Sequence, residues 1–153
     1  MDLHIKQPWL ARLVIGILLI TAFSSVAIAQ NNITETLTGQ WLFNEQASFA
    51  KIDAASRAHL DSLPQLKAQF ELAYRGKKIL FEADGDYGVL LADGRSAGGS
   101  WTLGSNNRIL ITDPMGKVYP HRLARLTATE LILIPETEEG LKSMLTELHY
   151  IKL

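Results

Sequence analysis

The chain has 153 residues, 47% of them apolar, no cysteine, and 15 basic against 16 acidic side chains. That near-neutral balance offers no basic field, which argues against a nucleic-acid partner and against docking on an anionic membrane surface. Without cysteine there are no disulfides, so the fold must rest on its own core.

The first 29 residues differ in character from the rest. Lys6 and Arg12 give a basic start, Leu13 to Phe23 form an 11-residue apolar run, and Ala27-Ile28-Ala29 is a small-residue site. Those are the three parts of a cleavable secretory signal peptide. The run falls short of the roughly 20 residues that a bilayer-spanning helix needs. An uncleaved anchor is the other reading, but Thr21, Ser24 and Ser25 dilute the longer stretch to Ala29. Cleavage after Ala29 leaves residues 30–153, the length of one domain. It removes Lys6, Arg12 and Asp2, leaving 13 basic against 15 acidic residues. The expected product is periplasmic or secreted, with no stable membrane insertion after cleavage and no cysteine to carry a lipid. The sequon Asn32-Ile33-Thr34 would matter only in a eukaryotic secretory pathway.

Residues 30–37 are polar and read as a loose lead into a first strand, Thr38–Phe43, with Trp41 and Phe43 on one face. Residues 46–75 are rich in Ala, Leu, Gln, Lys and Glu, which favours helix. A first helix is expected over roughly Ser48–Leu60. Leu63, Leu66, Phe70 and Tyr74 then form one apolar stripe, with Asp61-Ser62 and Pro64 as a start and Gly76 as a stop. A helical hairpin is therefore inserted after strand one.

From Lys77 onward, short strands alternate with turn residues. The expected strands are Lys78–Glu82, Tyr87–Leu91, Gly99–Leu103, Arg108–Thr112, Val118–Leu126, Glu130–Ile134 and, after an acidic loop at Glu136–Gly140, a last one at about Leu145–Lys152. Asp84-Gly85 and Asp93-Gly94 are hairpin signals, and a two-residue type I′ turn there would require positive φ at the glycine. Links this short leave no room for crossover helices, so neighbours pair antiparallel as a meander. Eight such strands close into a barrel that removes exposed edges, with a two-sheet sandwich as the alternative. A barrel of this size is either filled by side chains or holds one small ligand. Leu80 and Leu110 break the alternation, so the inserted helices are expected to cover an outer patch or a barrel mouth.

Catalytic and metal chemistry find little support. No Ser sits in a G-x-S-x-G elbow, and His59, His121 and His149 are isolated from one another in sequence. Asp84-Gly85-Asp86 lacks the further acidic ligands of a calcium loop, and no helix follows Gly98-Gly99 to offer amides to a phosphate. The chain is thus expected to be non-enzymatic, without cofactor or metal. Arg122 shares parity with Val118, Pro120, Ala124 and Leu126, which would point it into the barrel at an anionic head group; a bulge at Pro120 would instead send it to solvent. Tyr87 and Tyr150 are candidates to line the interior. Gly39 permits a tight backbone approach and Trp41 plugs one end. Trp101 has the same structural reading, with ligand contact as its alternative.

Gly39-Gln40-Trp41 resembles the G-x-W signature of the lipocalin superfamily. Phe81-Glu82-Ala83-Asp84-Gly85-Asp86-Tyr87, Gly99-Ser100-Trp101-Thr102-Leu103, Leu110-Ile111-Thr112 and Leu126-Thr127 with Glu130-Leu131 and Leu133 are similar to the rest of the bacterial lipocalin-like pattern. The resemblance runs over roughly residues 37–134. It implies an eight-stranded up-and-down barrel in which Gly39, Trp41, Gly85 and Gly99 are structural signatures. There are departures. The T-D-Y signature is missing, since Thr112-Asp113 is followed by Pro114, and Lys152 stands where an arginine would close the last strand. The inserted helices also resemble those of fatty-acid-binding proteins, whose arginine–tyrosine set on the final strand is not reproduced around Tyr150. The expected function is binding of a small apolar or amphipathic molecule in the barrel, with Arg122, Tyr87, Tyr150 and Trp101 as candidate contacts. The alternative is a solid barrel acting through its surface as a protein-interaction or envelope accessory module.

Overall fold

The computed structural model describes residues 32–137 and 143–153. The expected signal peptide and the loop positions 138–140 lie outside them. The barrel occupies Thr34–Leu153. Its strands are β1 (Gly39–Phe43), β2 (Lys78–Phe81), β3 (Asp86–Leu90), β4 (Ser96–Gly104), β5 (Arg108–Thr112), β6 (Val118–Leu126), β7 (Glu130–Pro135) and β8 (Leu148–Lys152). Each pairs antiparallel with the next, and β1 pairs with β8 as well as β2, closing the sheet. A sandwich would leave β1 and β8 as edges, so that alternative is excluded.

The turns are one residue longer than the Asp-Gly signals suggest. Glu82 N–H donates to Asp86 O at 2.9 Å and Gly85 N–H to Glu82 O at 3.1 Å. This is a three-residue loop, a type I turn followed by a left-handed glycine. The same pattern recurs at Leu91–Arg95 and Asp113–Lys117. The expected positive φ is present at Gly85 (+97°) and Gly94 (+87°). Gly99 has a different role: a Cβ there would collide with the Thr112 carbonyl oxygen, so only glycine lets β5 approach β4 this closely.

Three helices, not a pair, lie between β1 and β2: α1 (Glu45–Phe49), α2 (Ala54–Ser62) and α3 (Pro64–Tyr74). The expected helix Ser48–Leu60 is divided because Asp53 caps a new start, its carboxylate accepting the Ser56 N–H at 3.0 Å. Asp61-Ser62 closes α2 rather than opening α3. Pro64 does open α3, where a missing N–H costs nothing. Of the expected stripe, Phe70 and Tyr74 pack inward while Leu63 and Leu66 remain about 40% exposed, at 42% and 39%. Phe49, Phe70 and Tyr74 gather on Phe43, with ring centroids 5.1–6.5 Å apart. The helices therefore sit at the end of the barrel where β1 stops and β2 begins. Glu45 ties them in, accepting the Gly76 N–H at 3.1 Å. On the outer wall Leu80 lies opposite Gly88, and Leu110 opposite Pro120 beside Gly104, small or rigid neighbours that shelter each leucine.

The polar lead is not loose: residues 34–37 are helical and Leu37 is fully buried. The Trp41 indole N–H donates to the Leu37 carbonyl at 2.7 Å, fixing this turn across one barrel end.

Candidate functional site

Alternation decides what points inward. Trp41, Phe81, Trp101, Ile109 and Leu131 are at most 5% exposed and fill the end away from the helices. Trp101 stacks edge-to-face on Phe81 at 5.4 Å and donates its indole N–H to Glu82 O at 2.9 Å. Lys152 completes this end. Its ammonium lies 4.9 Å over the Trp41 ring and donates to Thr36 O at 2.7 Å. Among the described residues no buried side-chain polar atom here lacks a partner.

The helical end is different. Beyond the packed floor lies a cavity of about 330 Å³, lined by strand residues together with Lys77 and Asp113. Val89, Ala97, Ile111, Leu133 and Leu148 give it apolar walls, and Lys77, Tyr87, Tyr119, His121 and Tyr150 bring polar groups to it. Phe81 carries Tyr87 at 5.2 Å and Phe43 carries Tyr150 at 5.6 Å, so the two rings are held by the core. Neither hydroxyl makes a hydrogen bond among the described residues. No buried side-chain polar atom there is left without a partner. Both hydroxyls are thus unsealed and open onto the cavity. Burial raises both phenol pKa values well above the ordinary range, so both hydroxyls keep their protons and can donate.

Lys77 follows α3 directly and shares parity with Ile79 and Phe81, which turns it inward. Its ammonium lies 5.1 Å over the Tyr74 ring and has no ion-pair or hydrogen-bond partner among the described residues. Burial lowers its pKa. His121, opposite buried Ile109 in the β5–β6 ladder, also faces inward. Burial lowers its pKa, with the Tyr119 carbonyl and Glu136 opposing and Lys77 adding to the effect. Its Nδ1 lies 3.0 Å from Tyr119 O, the geometry of an Nδ1–H donor, which leaves Nε2 bare in the neutral ring. At the rim, the Asp113 carboxylate is held by the N–H groups of Met115 and Lys117, both at 2.9 Å, and by the Tyr119 hydroxyl at 3.2 Å.

Tyr87 and Tyr150 both line the cavity. The structure does not place Arg122 or Trp101 there. Trp101 belongs to the packed floor. Arg122 is exposed on the outer wall opposite Arg108. The bulge that separates it from Leu126 lies between Leu123 and Arg125, not at Pro120. Tyr119, His121 and Leu123 thus face inward before the bulge, and Leu126 after it. Sequence reasoning missed Lys77 and passed over His121. The signal for both was parity, with Ile79 and Phe81 in one case and with Leu123 in the other.

Among the described residues no three of His, Cys, Asp and Glu stand together as a metal group, and no helix is long and apolar enough to cross a membrane. No family model, curated protein or solved structure matches the chain.

Proposed function

We propose that this chain is an exported, lipocalin-like binding protein that holds one small amphipathic molecule inside its barrel. The observation that carries the reading is the uneven interior: one end is filled by large side chains, while the other keeps a cavity of about 330 Å³ with apolar walls and the polar groups of Lys77, Tyr87, His121 and Tyr150. Small-molecule sites have this composition, mostly apolar with a few placed polar groups. Support for the lipocalin-like assignment comes from Gly39-Gln40-Trp41, which opens β1 and caps the packed end, and from the meander order. Support for export comes from residues 1–29, whose basic, apolar and small-residue parts fit a cleaved leader. We read the cavity as a binding site and not as a catalytic one.

Isothermal titration with decanoate and with decanol tests this. One molecule of at least one of them should bind per chain, and Ala97→Trp, which fills the cavity, should weaken that binding by about tenfold or more. Absence of binding by both, or equal binding by the filled variant, would overturn the reading in favour of a barrel that acts through its surface.

A further inference from the structure

Three polar groups at the cavity can donate: the Lys77 ammonium, which has no counter-ion among the described residues, and the Tyr87 and Tyr150 hydroxyls, which keep their protons; the Asp113 carboxylate and the bare His121 Nε2 can receive. The Asp113 carboxylate at the rim already accepts two backbone N–H groups and a hydroxyl. Glu136, the other acid near His121, is paired with Arg108 at 2.9 Å. A partly buried cation with no counter-ion among the described residues favours an arriving anion. An oxyanion would complement these three donors.

We propose that the helical end of the barrel is an oxyanion site, in which Lys77 and the hydroxyls of Tyr87 and Tyr150 hold the carboxylate or sulfonate head of an amphipathic ligand. This rests on the binding reading above and adds the polarity of the ligand. The head group sits beside Lys77. The tail lies along Val89, Ile111 and Leu133. His121 makes the site responsive to protons. In the empty cavity, desolvation and Lys77 disfavour the imidazolium. An arriving anion favours it, so binding takes up a proton and affinity rises as pH falls. The groups facing His121 are Lys77 ahead of β2, Tyr87 on β3, Asp113 after β5, Tyr119 on its own strand, Glu136 after β7 and Tyr150 on β8.

The test uses probes of one chain length and three head groups: decanoate, decanol and decylammonium, titrated at pH 7.5. Decanoate should bind about tenfold or more tighter than decanol, and decylammonium most weakly. Lys77→Met should erase the difference between decanoate and decanol. Lys77→Arg should keep it, and so should Lys78→Met on the outer wall. If Lys77→Met does not fold, Tyr150→Phe serves, losing decanoate affinity several-fold while decanol is unaffected. With decanesulfonate, which stays charged throughout, affinity should rise from pH 8 to pH 6, and His121→Gln should flatten that rise. Equal binding of decanoate and decanol by the wild type would overturn the oxyanion site while leaving the binding protein standing. So would a decanoate preference that survives Lys77→Met. Binding of neither probe would remove both.

Discussion

The two ends of this barrel are built from the same strands and spend their side chains differently. At the packed end, the large residues that carry polar atoms both fill space and bond within the fold: Trp41 bonds Leu37, Trp101 bonds Glu82, and Lys152 bonds Thr36. At the helical end, smaller walls such as Val89, Ala97 and Ile111 leave a void, and the polar atoms of Tyr87, Tyr150 and Lys77 have no hydrogen-bond partner among the described residues. The contrast teaches a division of labour. Stability is concentrated where the interior is closed, and the capacity to bind where it is left incomplete. Substitutions should therefore separate cleanly by end.

The largest effect is expected at the packed end. Trp41→Ala removes a fully buried indole together with its hydrogen bond and the ring beneath Lys152. It should destabilise by about 3–5 kcal/mol in urea unfolding. A loss under 1 kcal/mol would mean that this end is not the stabilising one.

At the other end the sign should reverse. Lys77→Met exchanges a partly buried, unpaired ammonium for an apolar chain of similar length. Urea unfolding of the ligand-free protein should show it more stable by about 0.5–2 kcal/mol even as the decanoate preference is lost. A less stable variant would indicate that Lys77 serves the fold and not the site.

A smaller effect concerns protons. Burial holds His121 below its ordinary value of 6.5, so the unfolded chain binds a proton there before the folded one does. The stability due to the neutral ring is present above pH 6.5 and is lost as pH falls through the lower, folded value. Unfolding midpoints should drop as pH falls below 6.5 in the wild type, and His121→Gln should flatten that slope. The lowered Glu147 carboxyl acts on the acid side of its ordinary 4.5. An unchanged slope in the variant would place the titrating group elsewhere.

The smallest effect is expected at Arg122. It lies exposed on the outer wall, so Arg122→Gln should change stability by less than about 0.5 kcal/mol and leave decanoate affinity unaltered. Weakened decanoate binding would return Arg122 to the site.

Arg122 also marks where the sequence stops being readable. Strand order, closure and the positive φ of Gly85 and Gly94 were legible, because Asp-Gly turns at short intervals leave antiparallel neighbours as the only connection. Which residues face inward along β6 was not. That depends on an extra residue at Ala124, and nothing in Leu123-Ala124-Arg125 distinguishes a bulge from a continuous strand. One shifted residue exchanges the faces, so Arg122 was assigned inward and His121 left without a role. Lys77 escaped notice because it follows Gly76 and reads as the tail of a turn. Only its register with Ile79 and Phe81 places it on the cavity wall. The helical turn over residues 34–37 was hidden by its polar composition, since it is held by one buried leucine and a tryptophan bond rather than by an apolar stripe.

The division between the ends can be measured directly by methyl NMR of the protein as decanoate is added. The methyl signals of Val89, Ile111, Leu133 and Leu148 should shift with one common saturation curve. Those of Leu37, Ile109 and Leu131 at the packed end, and of Leu110 and Val118 on the outer wall, should stay in place. Shifts confined to the outer wall or the packed end, or no shifts at any methyl at millimolar decanoate, would contradict the account.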